Sequence, residues 1–228
     1  MISKTWRFVG AVLCIVGGCA PTNTGIEIEA MLAAPDNCVY RPGATATTIA
    51  SPVLDTTAET AAFRTGIRYS AAFQVVNRML NLSNSVYPLT TDTNSFHIEE
   101  AEVELRAIDG SELDFGGLPT RFRVPASGFI PSATSGMDLG RGLAIVEVVP
   151  AIYGDVLVNT EGTILVSVRM TGVTSGDSTQ TTGEITFPLR LCTNFCLFQC
   201  GFEDGAPITE AVFSCIPGQD NVSLIPCS

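Results

Sequence analysis

The sequence predicts an all-β protein, an antiparallel β-sandwich of immunoglobulin-like kind with a disulfide-stapled C-terminal extension. Three observations predict it. Several short segments alternate apolar and polar residues with a period of two, the pattern of a half-buried strand. Turn signals rich in Gly, Asp, Ser and Thr separate them, which favours a sandwich over a βαβ chain. Five of the eight cysteines fall within the last 37 residues, among Gly, Pro and Asp.

Residues 1–18 precede that body and have the three-part layout of an export signal. Lys4 and Arg7 supply the positive start, Phe8–Val16 the apolar run, and Gly17-Gly18 the small residues ahead of cleavage. The run is nine residues long, well short of the ~20 a spanning helix needs. Val16-Gly17-Gly18-Cys19 resembles the lipobox of bacterial lipoproteins. That resemblance implies a diacylglyceryl thioether on the Cys19 sulfur, cleavage before Cys19 and acylation, as with palmitate, of the new amino group. Two or three acyl chains anchor stably where one binds only marginally. Valine at the −3 position is less typical than leucine, so an ordinary secretory signal with an incidental cysteine stands as the alternative. The absence of Asp at position 20, by analogy with enteric lipoproteins, favours the outer membrane over the inner.

Residues 19–37 read as a lipidated tether passing into a first weak strand, Ile26–Leu32. Residues 38–191 form the expected sandwich. Within it Pro42–Thr60, rich in Ala, Thr, Ser and Pro, reads as loop or edge structure. Arg68–Leu82 fits two periods: Tyr69, Ala71, Phe73 and Val75 alternate as in a strand, while Phe73, Val76 and Leu80 recur as on a helix. Its aromatic and β-branched content favours strand. The clearest strand is Phe96–Ile108, with Glu100, Glu102, Glu104 and Arg106 on one face and Ala101, Val103, Leu105 and Ala107 on the other. Asp109-Gly110 then signals a hairpin turn, with a return strand from about Glu112. Phe122–Val124, Gly142–Pro150, Gly162–Gly172 and Gly183–Leu191 continue the series. Ile164, Val166, Val168 and Met170 share one face, and Ile185, Phe187, Leu189 and Leu191 another. Residues 192–228 form the Cys-rich extension.

Two of the 12 basic residues leave with residues 1–18, so ten face 23 acidic ones and the remaining formal charge is −13. All ten are arginine, which excludes Schiff-base and other lysine-dependent mechanisms. An anionic surface argues against nucleic acid and against charge-driven docking on anionic headgroups.

With Cys14 removed and Cys19 lipidated, six cysteines remain: Cys38, Cys192, Cys196, Cys200, Cys215 and Cys227. An exported chain meets an oxidising compartment, so three disulfides are expected, in any of 15 connectivities. The other five being odd in number, Cys38 bridges to one of them or stays free. Pairing with one of the Cys192–Cys200 group would fasten the first strand to the last, worth on the order of 4–5 kcal/mol by loop-closure entropy. Cys192-x3-Cys196-x3-Cys200 would also line one helix face and comes within one residue of the Cx3Cx2C motif of radical enzymes. Both that spacing and the oxidising compartment argue against metal or cluster ligation.

The only histidine is His97, which any Ser-His-Asp mechanism would have to use. Gly176-Asp177-Ser178 superficially resembles the nucleophile motif of trypsin-like proteases, but Thr179 replaces the following glycine. A polar turn accounts for Gly176–Thr181 better. Asp55-Thr56-Thr57 is not the Asp-Thr-Gly of aspartic proteases. Glu99, Glu100, Glu102 and Glu104 are the sharpest chemical candidate. Side chains two apart on a strand sit about 7 Å from one another, compatible with Ca²⁺ or with paired glycosidase acids. The plainer reading is a solvated face that blocks sheet-to-sheet pairing. No Asp-x-Asp-x-Asp loop accompanies it, and the single tryptophan, Trp6, leaves with the signal. No cofactor is expected.

The order of features resembles a group of uncharacterised lipoproteins from myxobacteria and related bacteria. The resembling stretches are Val75-Val76-Asn77-Arg78, Ile98–Arg106, Val124-Pro125-Ala126-Ser127-Gly128-Phe129, Gly183–Pro188 running into Cys192, and Gly218-Gln219-Asp220 ahead of Cys227. The resemblance implies surface or periplasmic placement and an all-β body, and no activity. The expectation is a lipid-anchored cell-envelope protein, not an enzyme, with a binding, adhesion or structural role. Its partners would be the membrane through its lipid and an envelope protein. The alternative is an envelope hydrolase using the Glu99–Glu104 face.

Overall fold

The computed structural model describes residues 25–35, 39–57, 66–81, 92, 94–134, 138–194, 196–200, 202–203, 206–207, 219–220 and 223–225. Its elements are β1 (Ile26–Leu32), β2 (Val53–Asp55), β3 (Tyr69–Asn77), β4 (Phe96–Ala107), β5 (Arg121–Ile130), β6 (Gly140–Val149), a single helical turn α1 (Ala151–Gly154), β7 (Gly162–Thr174), β8 (Thr179–Thr181) and β9 (Ile185–Cys192). The short strands β10 (Phe198–Cys200) and β13 (Ser223–Ile225) pair in parallel, and β11 (Phe202–Glu203) pairs antiparallel with β12 (Ala206–Pro207).

The chain is all-β, as its alternation predicts. Inward positions recur at every second residue: Val103 and Leu105 of β4, Val166, Val168 and Met170 of β7, and Leu189 and Leu191 of β9 are buried in one core with Phe73 and Val75 of β3. The body is one nine-stranded sheet in the order β1-β3-β6-β5-β4-β7-β9-β2, with β8 added on β7. It is mixed, because β2 runs parallel to β9. The hydrogen-bond ladder continues from β1 to β2, so the sheet curls back on itself where an immunoglobulin-like fold would form two separate ladders.

β5 and β6 form a narrow joint in that ladder. β5 pairs with β4 from Phe96↔Ile130 to Glu104↔Arg121, yet meets β6 only at Ala126–Gly128. Glycines permit the close approach there: a Cβ on Gly140 would lie 1.8 Å from the Pro131 carbonyl oxygen, and one on Gly142 would lie 2.3 Å from that of Phe129. Below the contact β5 and β6 diverge, and the wedge is filled by Tyr153, whose ring stacks on Phe122 at 4.3 Å and meets Phe115 edge-on at 5.4 Å. Phe73 of β3 and Phe187 of β9, five places apart in the strand order, then come within 6.0 Å across the core.

Residues 219–220, inside the Cys-rich segment, fasten the two ends of the curled sheet. Gln219 bridges Leu54 of β2, while its side-chain amide donates to the Ser70 carbonyl and accepts from the Ser70 N–H of β3, each at 3.0 Å. Asp220 exchanges bonds with Val53 of β2, its N–H donating at 3.0 Å and its Oδ1 accepting at 2.8 Å.

Several expectations change in detail. The return strand anticipated near Glu112 begins at Arg121, because Asp109 and Asp114 hold Asx turns on the Ser111 and Gly116 N–H groups and keep 108–120 irregular. Phe122–Val124 is the start of a ten-residue strand that runs through Pro125, tolerated because β5 has no β6 partner at that position. The Pro42–Thr60 segment contributes β2 at the sheet edge.

Candidate functional site

The outer face of β4 carries the residues singled out for chemistry. A register shift at Glu99 turns both Glu99 and Glu100 outward, and Glu102, Glu104 and Arg106 follow at alternate positions. The neighbouring strands answer with arginine. Glu104 is clamped by Arg121 at 2.6 Å and Arg106 at 2.5 Å, Glu100 meets Arg123 at 3.1 Å, and Glu102 lies 3.9 Å from Arg121. Arg169 of β7 and Glu184 extend the pattern at 3.4 Å. The Arg121 guanidinium, with help from Arg106, holds the Glu104 carboxyl below the ordinary carboxylate range. A glycosidase acid needs the opposite shift. Among the described residues no three His, Cys, Asp or Glu side chains converge to hold a metal ion.

His97 stands exposed at the start of β4, its ring 5.0 Å from that of Phe129 on β5, the strand on the other side of β4 from β7. Gly176–Thr181 forms the β7–β8 turn, with Asp177 at φ 62° and Thr174 exchanging backbone bonds with Ser178 and Asp177. A triad is not assembled there.

Cys192 and Cys196 form a disulfide with Cα atoms 6.0 Å apart. Cys192 ends β9 and Cys200 ends β10, so the three cysteines do not share a helix face, and two of the three sulfurs are oxidised to each other. Cys19, Cys38, Cys215 and Cys227 lie outside the described residues. The pairing expected of Cys38 with Cys192 or Cys196 is ruled out by their own bond, leaving Cys200 as its partner from that group.

Sequence reasoning missed two carboxylates that tie the fold together, Asp55 and the partly buried Asp220. Asp55 is fully buried at the end of β2, accepting from Thr57 N–H at 2.9 Å and Leu197 N–H at 3.4 Å, which ties the strand end to the disulfide loop. Asp220 accepts from the Tyr69 hydroxyl at 2.6 Å. Burial pushes the Asp220 carboxyl above its ordinary range, and burial beside Asp220 raises the phenols of Tyr69 and Tyr40. The only available signal was Gly218-Gln219-Asp220, a polar triplet with no periodicity.

One end of the body is chemically distinct. The connections 108–120 and 150–161 lie where β4 ends and β7 begins, away from the end where β1 starts beside Asn77. They frame a cleft of about 260 Å³ lined by Leu113, Phe115, Leu157 and Ile164, with Asp114 and Glu161 at its edge. Ile108, Ile152, Val156 and Val158 stand exposed around it. Compared with known proteins, the chain matches no family model, no curated protein and no solved structure. Among the described residues no helix is long and apolar enough to cross a membrane.

Proposed function

We propose that this is a lipid-anchored cell-envelope protein with a non-enzymatic binding, adhesion or assembly role. The observation that carries the anchor is Cys19, preceded by Val16-Gly17-Gly18 and an apolar run, six residues ahead of Gly25. Six residues span at most about 20 Å, so a lipid on Cys19 keeps the β1 end of the body near the bilayer. The resemblance to lipoproteins of myxobacteria supports surface or periplasmic placement, and the alanine at position 20, where aspartate would favour the inner membrane, supports the outer membrane. The ion-paired Glu face supports the non-enzymatic role: Glu100, Glu102 and Glu104 are engaged by Arg106, Arg121 and Arg123.

The anchor is tested by membrane fractionation of cells expressing wild type and Cys19→Ala. Wild type sediments with the outer membrane and partitions into detergent, and the variant appears in the soluble fraction. Equal distribution of the two removes the reading. The rival hydrolase reading is tested with Glu100→Ala and Glu102→Ala on any activity that envelope extracts show. The proposal expects no change.

A further inference from the structure

We propose that the cleft between residues 113–115 and 156–164 is a docking site for a basic peptide segment of an envelope partner, which inserts one large apolar side chain. The inference deepens the binding role above and rests on it only for the partner's location. At about 260 Å³ the cleft falls below the 300–1,000 Å³ typical of sites that swallow whole small molecules. It suits a side chain or two.

Its chemistry selects the occupant. The floor is apolar and deep, with Phe115, Leu157, Ile164 and Leu191 nearly inaccessible to water. Val156, at 41% exposure, lines its wall, giving apolar surface on which the flank of a bound segment can lie. The rim is acidic: of the residues lining the cleft, the charged ones are Asp114 and Glu161, both exposed. No lysine or arginine lines the cleft, and among the described residues Asp114 and Glu161 have no ion pair of the kind Arg121 and Arg106 give Glu104. The hydrogen-bond partners of the two are neutral, Thr193 donating to Glu161 and the Gly116 N–H to Asp114, and the nearest arginine in register is Arg190 of β9, opposite Thr163. An apolar centre inside a one-signed rim is complementary to an apolar residue flanked by arginine or lysine. The cleft also lies at the opposite end of the sheet from the start of β1, separated from it by roughly 35 Å of β4, so with the proposed anchor ahead of β1 a partner reaches it away from the bilayer.

Isothermal titration of the full-length protein, purified from membranes in a neutral detergent, tests this with three heptapeptides. One carries leucine between pairs of arginines, one replaces that leucine with serine, and one replaces the arginines with glutamates. The expected result is saturable, salt-weakened binding of the first alone, reduced two- to fivefold by Asp114→Asn with Glu161→Gln. Val156→Asp separates a site from general attraction to an anionic protein. It adds negative charge at the rim, so general attraction strengthens, whereas docking in the cleft weakens at least fivefold. Absent saturation with the arginine–leucine peptide, equal binding of the serine peptide, or tighter binding by Val156→Asp overturns the proposal. Release of Cys19→Ala from membranes reports on the anchor separately, whatever the peptides do.

Discussion

The Tyr69 hydroxyl donates to Oδ2 of Asp220 at 2.6 Å, joining residues 151 positions apart in the chain. Tyr69 begins β3, near one end of the strand order, and the other Asp220 oxygen accepts from Val53 on β2, at the opposite end. One carboxylate therefore holds both ends of a curled sheet. A partly buried carboxylate is tolerable when donors meet it, and here both oxygens have one.

Removing the phenol tests that latch. Tyr69→Phe keeps the ring in the core and deprives Asp220 of a donor, which costs about 1–3 kcal/mol. Urea unfolding should show a lower midpoint with an unchanged slope. A midpoint shift equivalent to less than ~0.5 kcal/mol, the usual range of an inconsequential substitution, would mean that the latch contributes nothing.

Two carboxyls should give opposite pH dependences. Asp220, raised chiefly by burial, holds its proton more tightly folded than unfolded, where aspartate titrates near ~3.9. Its contribution is full below that pH and is lost as pH rises through the raised value. Glu104, lowered chiefly by Arg121, contributes above the unfolded value of ~4.3 and loses that contribution as pH falls through its lowered one. Stability curves from pH 2 to 7 should flatten above about pH 4 in Asp220→Asn and below about pH 4 in Glu104→Gln. Curves parallel to wild type in both would refute the assignment.

Glycine at the β5–β6 crossing is a steric requirement. Gly140→Ala places a methyl carbon 1.8 Å from the Pro131 carbonyl oxygen and should destabilise by more than ~3 kcal/mol, a core-overpacking penalty. Gly183→Ala, with nothing within 4 Å of its added carbon, is the control and should stay within ~0.5 kcal/mol. Similar melting temperatures for the two would show that the crossing tolerates a side chain and that glycine is not required there.

The Cys192–Cys196 bond closes a short loop, so by chain entropy its loss costs only about 2 kcal/mol. It also fixes the rest of the cysteine problem. Cys38, Cys200, Cys215 and Cys227 remain, and four cysteines allow three connectivities. Peptide mapping without reductant should recover 192–196 as one linked fragment and Cys38 joined to Cys200, Cys215 or Cys227. Recovery of Cys38 linked to Cys192 or Cys196 contradicts the fold at β9.

Much of the sheet was legible because burial on one face leaves a period of two in the residues. β1, β4, β7 and β9 begin or end within a few residues of where alternation places them. What stayed hidden has no periodic trace. The close β5–β6 approach depends on glycines at Gly140 and Gly142, whose importance lies in which backbone crosses them. β2 is three residues long, too short to alternate, and α1 is one turn after Pro150. The arginines that neutralise the Glu face were visible as residues, but pairing Glu104 with Arg121 required the β4–β5 register. The cleft is built from two connections, where sequence marks only turns.

The central claim is a lipid on Cys19, and intact mass spectrometry of protein extracted from native envelopes tests it most directly. The account predicts a chain beginning at Cys19 and heavier than residues 19–228 by a diacylglyceryl group plus one acyl chain. A chain beginning at any other residue, or at Cys19 with no added mass on its sulfur, would contradict it.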